Sequence, residues 1–410
     1  MKTEPDKKLF SLDPDRSTRR LYGKNLIRAS ASTAVKNVLL TCVLLLPVLA
    51  AAINVTCLMQ PRTAAADPYW NDVARYLAGM EVRGTSVLKP KTADPRYRAH
   101  IAYMDNLWGM IRKETIDLIG PWRNDNIPSV GGGGTAFYPL SGADFINLFT
   151  LYPDARTYLM IALEQPGDAA LLRDHASNRF LDGLMPIQRG IYLYGLNNYF
   201  QSKVMKQEMN NTLLPGTAPA LLIFMARMGL TITGVENITI GNTGNIVSAG
   251  PAQGAARQVA GIRILFTGSG AAGTRELIYL SMRLEPDSVD TATPEGRFFN
   301  RLHRTRTMLK SAVYILQDEK YAPLKDFILK RSALIVQDDS GISFGAFDGR
   351  WKVSLYGKYN PYMSLGGCTV RRQEDLAQAY ARASFPLPFN FGYGILQGQG
   401  QSNLMVAKKK

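Results

Sequence analysis

"TAFYPLSGADFINLFTLYPDARTYLMIALE", residues 135–164, changes its pattern three times. "TAFYPL" is an apolar, aromatic run suited to a short buried strand. "SGADFINLFTLY" reads as a helix with Ser141 or Asp144 placed to cap its start, "PDA" breaks it, and "RTYLMIALE" is a second buried strand. A strand, helix, strand crossover of this length joins parallel strands.

Outward from this unit, the apolar periodicity predicts helices before residue 122, over 168–209, at 218–228 and over 294–332. Strands are predicted at 230–240, 261–268 and 276–284, and again in "ALIVQDD", "WKVSLYG" and "NFGYGIL". Strands interspersed with helices make the fold class α/β, a Rossmann-like mixed sheet with flanking helices. A single N-terminal transmembrane helix is expected ahead of it, because residues 38–59, VLLTCVLLLPVLAAAINVTCLM, hold no charge and reach the roughly 20 residues that cross a bilayer.

The address follows from charge. Of 48 Lys/Arg and 33 Asp/Glu, residues 1–66 hold 10 and 4, leaving 38 against 29 on the remainder. The basic residues crowd before the apolar run, which by the positive-inside rule puts the N-terminus in the cytoplasm and the body outside. The expected domains are a basic tail over 1–36, a signal-anchor over 37–59, a helical segment over 60–128 and the α/β domain over 129–410. The predicted partner of residues 38–59 is the bacterial inner membrane. The three cysteines, Cys42, Cys57 and Cys368, form no disulfide framework.

Residues 135–164 also supply a candidate pocket. In nucleotide-binding α/β folds the first strand ends in a small-residue turn, and an acid ending the next strand takes the ribose hydroxyls. Ser141, Gly142 and Asp144 occupy that turn behind Tyr138, and Glu164 lies 22 residues after Gly142. The layout resembles a Rossmann-type methyltransferase. It departs at Pro139 and Leu140 and in carrying one turn glycine.

Other patterns are weaker. Gly268, Gly270 and Gly273 spell G-x-G-x-x-G, but "TRELIYLSMRL" directly after them reads as a strand, and the fingerprint needs a helix there. "GISFG" at 341–345 matches a nucleophile elbow at Ser343, yet a turn and a strand come after it. Adjacent Asp338 and Asp339 end a predicted strand and are the candidate catalytic carboxylates, as base or metal ligand. The predicted 294–332 helix would turn Arg297, Arg301, Arg304 and Lys310 outward as an anion-binding face. His100, His175 and His303 show no metal spacing, and no metal or cofactor is predicted.

"QDDSGISF", "WKVSLYGKY", "LPFNFGYG" and "SNLMVA", together with "YPLSGADF" and "TYLMIALEQPG", are similar to an uncharacterised family of exported bacterial proteins. The resemblance implies export and carries no activity. The expected function is therefore a membrane-anchored cell-envelope protein, non-catalytic, binding an anionic glycan, lipid or protein partner, with no nucleic acid expected. Two alternatives stand beside it: a carboxylate-dependent hydrolase or transferase, and a Rossmann-like nucleotide-dependent methyltransferase if the body is cytoplasmic.

Overall fold

A computed structural model describes residues 67–82, 86–128, 133–174, 179–197, 214–249, 259–268, 273–360, 372–398 and 400–410. These belong to one compact unit, Pro61–Lys410. The strands are β1 (Thr135–Pro139), β2 (Thr157–Ala162), β3 (Thr231–Ile240), β4 (Ile246–Ser248), β5 (Ala260–Thr267), β6 (Arg275–Ser281), β7 (Thr305–Leu309), β8 (Ser332–Gln337), β9 (Trp351–Gly357) and β10 (Asn403–Lys409). They form one ten-stranded sheet in the order β4-β3-β5-β6-β2-β1-β7-β8-β10-β9.

Its centre is parallel. β1 pairs with β2 on one flank and β7 on the other, β2 continues to β6, and β7 to β8. Numbered by chain order, these five strands stand 3-2-1-4-5, the order of a doubly wound nucleotide-binding sheet. The chain leaves β1 toward β2 but returns on the opposite flank as β7, so the switch point lies between the carboxyl ends of β1 and β7. Antiparallel β5, β3 and β4 extend one side, and β10 returns antiparallel between β8 and β9 on the other.

The central strands are buried on both faces, which explains the apolar runs of β1, β2 and β8. Alternate residues go to opposite cores: Tyr138, Tyr158, Met160 and Met308 to one, Phe137, Leu159, Ile161 and Leu309 to the other. Helices α1 (Pro68–Leu77), α2 (Pro95–Ile111), α3 (Asp117–Asn126), α4 (Phe145–Leu151), α5 (Ala169–Asp174), α6 (Arg179–Asp182), α7 (Leu184–Asn197) and α8 (Ala218–Arg227) come before β3. They cover the first core. The second lies under α9 (Pro294–Asn300) and α10 (Ala322–Arg331), while α11 (Glu374–Arg382) packs beside β9.

One part of the expected fold class is corrected. Among the described residues no helix is long and apolar enough to cross a membrane. The longest of them, α2, has 17 residues and carries Arg96, Arg98 and Asp105. Residues 38–59 lie outside the described residues. The described residues thus form a mixed α/β sheet with flanking helices, and no transmembrane helix is among them. The signal-anchor, the inner-membrane partner, the single-pass periplasmic location and the membrane-anchored envelope function that rested on that helix are withdrawn.

Local expectations also shift. The helix predicted over 294–332 is interrupted, because α9 stops at Asn300 and residues 305–309 enter the sheet as β7. "NFGYGIL" is a 3-10 turn, Gly392–Gln397, and no strand.

Candidate functional site

β1 ends in a strained corner. Leu140 adopts φ 62° and Gly142 φ 54°, a left-handed geometry that a leucine holds only when its surroundings over-determine it. Ser141 supplies part of that hold, since its N–H (2.8 Å) and Oγ (3.1 Å) both donate to the Ile161 carbonyl of β2. The corner places Asp144 as the N-cap of α4, accepting from Asn147 N–H at 3.3 Å.

Asp144 is the hub of a buried network. Its Oδ1 accepts from Asn147 Nδ2 (2.9 Å) and Tyr194 Oη (2.8 Å). Its Oδ2 accepts from Lys310 Nζ (2.7 Å) and Tyr138 Oη (3.4 Å). Both ends of the ion pair are essentially inaccessible to solvent. Burial draws the Lys310 ammonium below its ordinary pKa, and Asp144 acts in the opposite direction. Tyr138 and Tyr194 are pushed well above the usual phenol range by burial and then by Asp144. This network closes the switch point between β1 and β7.

Glu164, two residues past β2, is the opposite case. It is 3% exposed, and neither Oε1 nor Oε2 has a hydrogen-bond partner among the described residues. Its carbonyl is used, accepting from Tyr279 Oη at 3.1 Å. The next loop is locked to the segment before α8 by Thr217 N–H to Gln165 O (3.0 Å) and Ala218 N–H to Pro166 O (2.9 Å). Gly167 and Gly216, both with positive φ, meet so closely there that a Cβ on Gly167 would collide with the Pro215 carbonyl oxygen. The fold therefore holds Glu164 firmly while leaving its carboxyl group unsatisfied, an arrangement that costs free energy unless a ligand completes it.

Asp338 and Asp339, at the end of β8, sit on the same edge of the sheet, and internal donors fill both. Asp338 accepts from Ser340 Oγ (2.5 Å), Ser340 N–H (3.2 Å), Tyr393 N–H (3.1 Å) and Ser311 N–H (3.2 Å). Asp339 accepts from Tyr314 Oη (2.9 Å) and Asn403 Nδ2 (2.8 Å). The cavity they line with Gln373 and Asn403 measures about 10 Å³, at the lower limit for one water.

Arg297, Arg301, Arg304 and Lys310 do not share a face. Arg297 donates to the carbonyls of Asn242, Thr291 and Ala292, and Arg301 to the Thr243 carbonyl and the Asn245 side chain. These two pin the β3–β4 turn, Arg304 is an exposed residue with φ 47°, and Lys310 is buried against Asp144. Ser343 precedes a 3-10 turn and then β9. The G-x-G-x-x-G segment joins antiparallel β5 and β6. His100 lies between the Leu77 carbonyl and Gln188, while His175 is outside the described residues. No metal-ligand cluster occurs among the described residues.

The structure thus gathers Tyr138, Ser141, Asp144, Glu164, Lys310, Asp338 and Asp339 along the carboxyl edge of the parallel strands, where doubly wound sheets bind ligands. Tyr194, Tyr393 and Asn403 complete the edge. No sequence pattern singles them out, because each reaches its partner across at least 50 residues. Set against protein-family models, curated proteins and solved structures, the chain matches none.

Proposed function

We propose that the chain is a Rossmann-like transferase of the methyltransferase kind, holding a nucleoside cofactor across the carboxyl ends of β1 and β2. Glu164 carries this reading. An acid at the end of the second strand is the group that takes ribose hydroxyls in such sheets, and here that acid is buried with two acceptor oxygens and no donor. The 3-2-1-4-5 order supports the same reading, as does the reversed β10 wedged between β8 and β9. Charge agrees as well: four acids, Asp144, Glu164, Asp338 and Asp339, lie along this edge with Lys310, which is paired to Asp144, a balance suited to a cationic sulfonium.

Bound there, S-adenosylmethionine would supply the methyl group. The chain's own contribution is to bind and orient. Glu164 accepts the hydroxyl hydrogens, the Ser141 corner fixes the wall beside it, and the network around Asp144 keeps the floor of the crevice dry. Asp338 and Asp339 already accept from the fold's own donors, so no proton transfer is assigned to them.

Thermal unfolding of the protein with S-adenosylmethionine, S-adenosylhomocysteine or adenosine tests this. A ligand at 100 times its Kd stabilises by about 2.7 kcal/mol, and Glu164→Leu should remove that shift. No shift with any of the three, or an undiminished shift in the variant, overturns the reading.

A further inference from the structure

Residues 311–314, leaving β7 at the switch point, carry three left-handed non-glycine residues: Ser311 (φ 54°), Val313 (φ 49°) and Tyr314 (φ 58°). Val313 is β-branched and 42% exposed, so nothing in its own packing favours that backbone. Hydrogen bonds to the 338–340 turn hold the segment. Ser311 N–H donates to Asp338, Ala312 N–H to Ser340 Oγ (2.7 Å), Tyr314 N–H to the Ser340 carbonyl (3.0 Å) and Tyr314 Oη to Asp339. Gly392 (φ +61°) makes the other wall, since a Cβ there would collide with Asp338 Oδ2.

The clasp is built on two adjacent buried carboxyl groups. No lysine or arginine among the described residues is bonded to either. The charged or titratable groups facing them are Lys310 just past β7, Tyr138 from β1, Tyr314 and Tyr359 from loops, Tyr393 from the 3-10 turn, and Tyr380 from α11. Lys310 is the one cation in this set, and its hydrogen bond goes to Asp144. Two like charges side by side in a desolvated site disfavour joint ionisation.

We infer that residues 311–314 and the Asp338–Asp339 pair form a pH-operated latch on the carboxyl edge, closed while the pair keeps a proton and released when both carboxyl groups ionise. The direction is set by linkage. Burial and then Asp339 push the Asp338 carboxyl up to about 7, and burial raises Asp339 too. A segment that opens lets water reach the pair and returns it toward ordinary carboxylate values. The closed form binds the proton more tightly and is favoured below about pH 7, whereas opening gains as pH rises through that value. Relaxation of the three left-handed residues adds to the release. The latch goes beyond the cofactor reading and does not depend on it.

Hydrogen exchange of the full chain read by mass spectrometry, over pH 6 to 8.5 and corrected for intrinsic rates, tests the latch. The peptide spanning 310–318 should lose protection with rising pH, by up to about tenfold per pH unit for one linked proton, while β2 keeps its protection. Asp339→Asn removes the like charge and should flatten the dependence. Val313→Gly, at an exposed position, leaves the carboxyl groups in place, relieves strain and should lower the open fraction several-fold at pH 8. Protection in the parent protein that is flat or rises with pH overturns the latch whatever either variant does, and an unchanged open fraction in Val313→Gly overturns the strain component.

Discussion

Asp144 and Glu164 are both acids just past a central parallel strand, both are almost wholly buried, and their surroundings treat them oppositely. Asp144 receives four side-chain donors, including an ammonium. Glu164 receives none. Burial alone therefore does not say what a carboxylate is for. The comparison separates a group whose partners the fold supplies from one whose partner must come from outside, and substitution should move the two in opposite directions.

The largest effect is expected at the satisfied site. Lys310→Met strands Asp144 without its cation, and breaking a buried pair from one side costs about 3–5 kcal/mol. The companion double variant Asp144→Asn with Lys310→Met removes both charges and should recover much of that loss, because replacing both members of a buried pair is often near neutral. Urea unfolding of the two single variants and the double variant measures the coupling. If Lys310→Met unfolds at the same midpoint as the parent, the network around Asp144 does not hold the crevice together and the comparison fails.

Glu164→Leu should do the reverse. Removing a buried acid with no partner relieves the cost of an unsatisfied buried polar group, about 1–3 kcal/mol. A protein that gains stability while losing its ligand response shows the trade-off expected of a binding residue. Destabilisation in urea would mean that Glu164 is satisfied in a way its surroundings do not reveal.

How much of this is legible in the sequence depends on which interactions define each element. β1, α4 and β2 can be read because each is local: apolar runs buried on both faces, punctuated by Pro139, Gly142 and Pro153. Glu164 is legible through its spacing from the turn, though the emptiness around its carboxyl group is not. β7 is not legible. "TRTML" carries an arginine near its start, and Arg306 is tolerated there because Asp154 accepts from it at 2.6 Å and Tyr152 lies under its guanidinium. Those partners come from more than 150 residues away. Lys310 reads by its charge as part of a solvated helix face, whereas the strand ending at Leu309 turns it inward against Asp144. The same non-local dependence makes "NFGYGIL" look like a strand, since Gly392 is bent by the need to reach Asp338.

The smallest effect at neutral pH sharpens the comparison with a buried group whose hydrogen-bond partners are both neutral. His100 is 4% exposed, with Nε2 2.9 Å from the Leu77 carbonyl and Nδ1 2.6 Å from Gln188 Nε2. The consistent assignment has Nε2–H donating and Nδ1 accepting, a neutral ring. Burial lowers its pKa to about 4, with the Leu77 carbonyl opposing the drop and the Arg227 charge adding to it. Between about pH 4 and 6.5 the unfolded chain binds this proton and the folded one does not. Stability from His100 is present above pH 6.5 and is lost as pH falls toward 4. His100→Gln should therefore flatten that part of the pH dependence of the urea midpoint while lowering the midpoint at pH 8 only modestly. An unchanged slope would mean that His100 gains its proton without cost, so that a buried group with neutral partners titrates as freely as an exposed one. Burial would then lose its force as an argument at Glu164 as well.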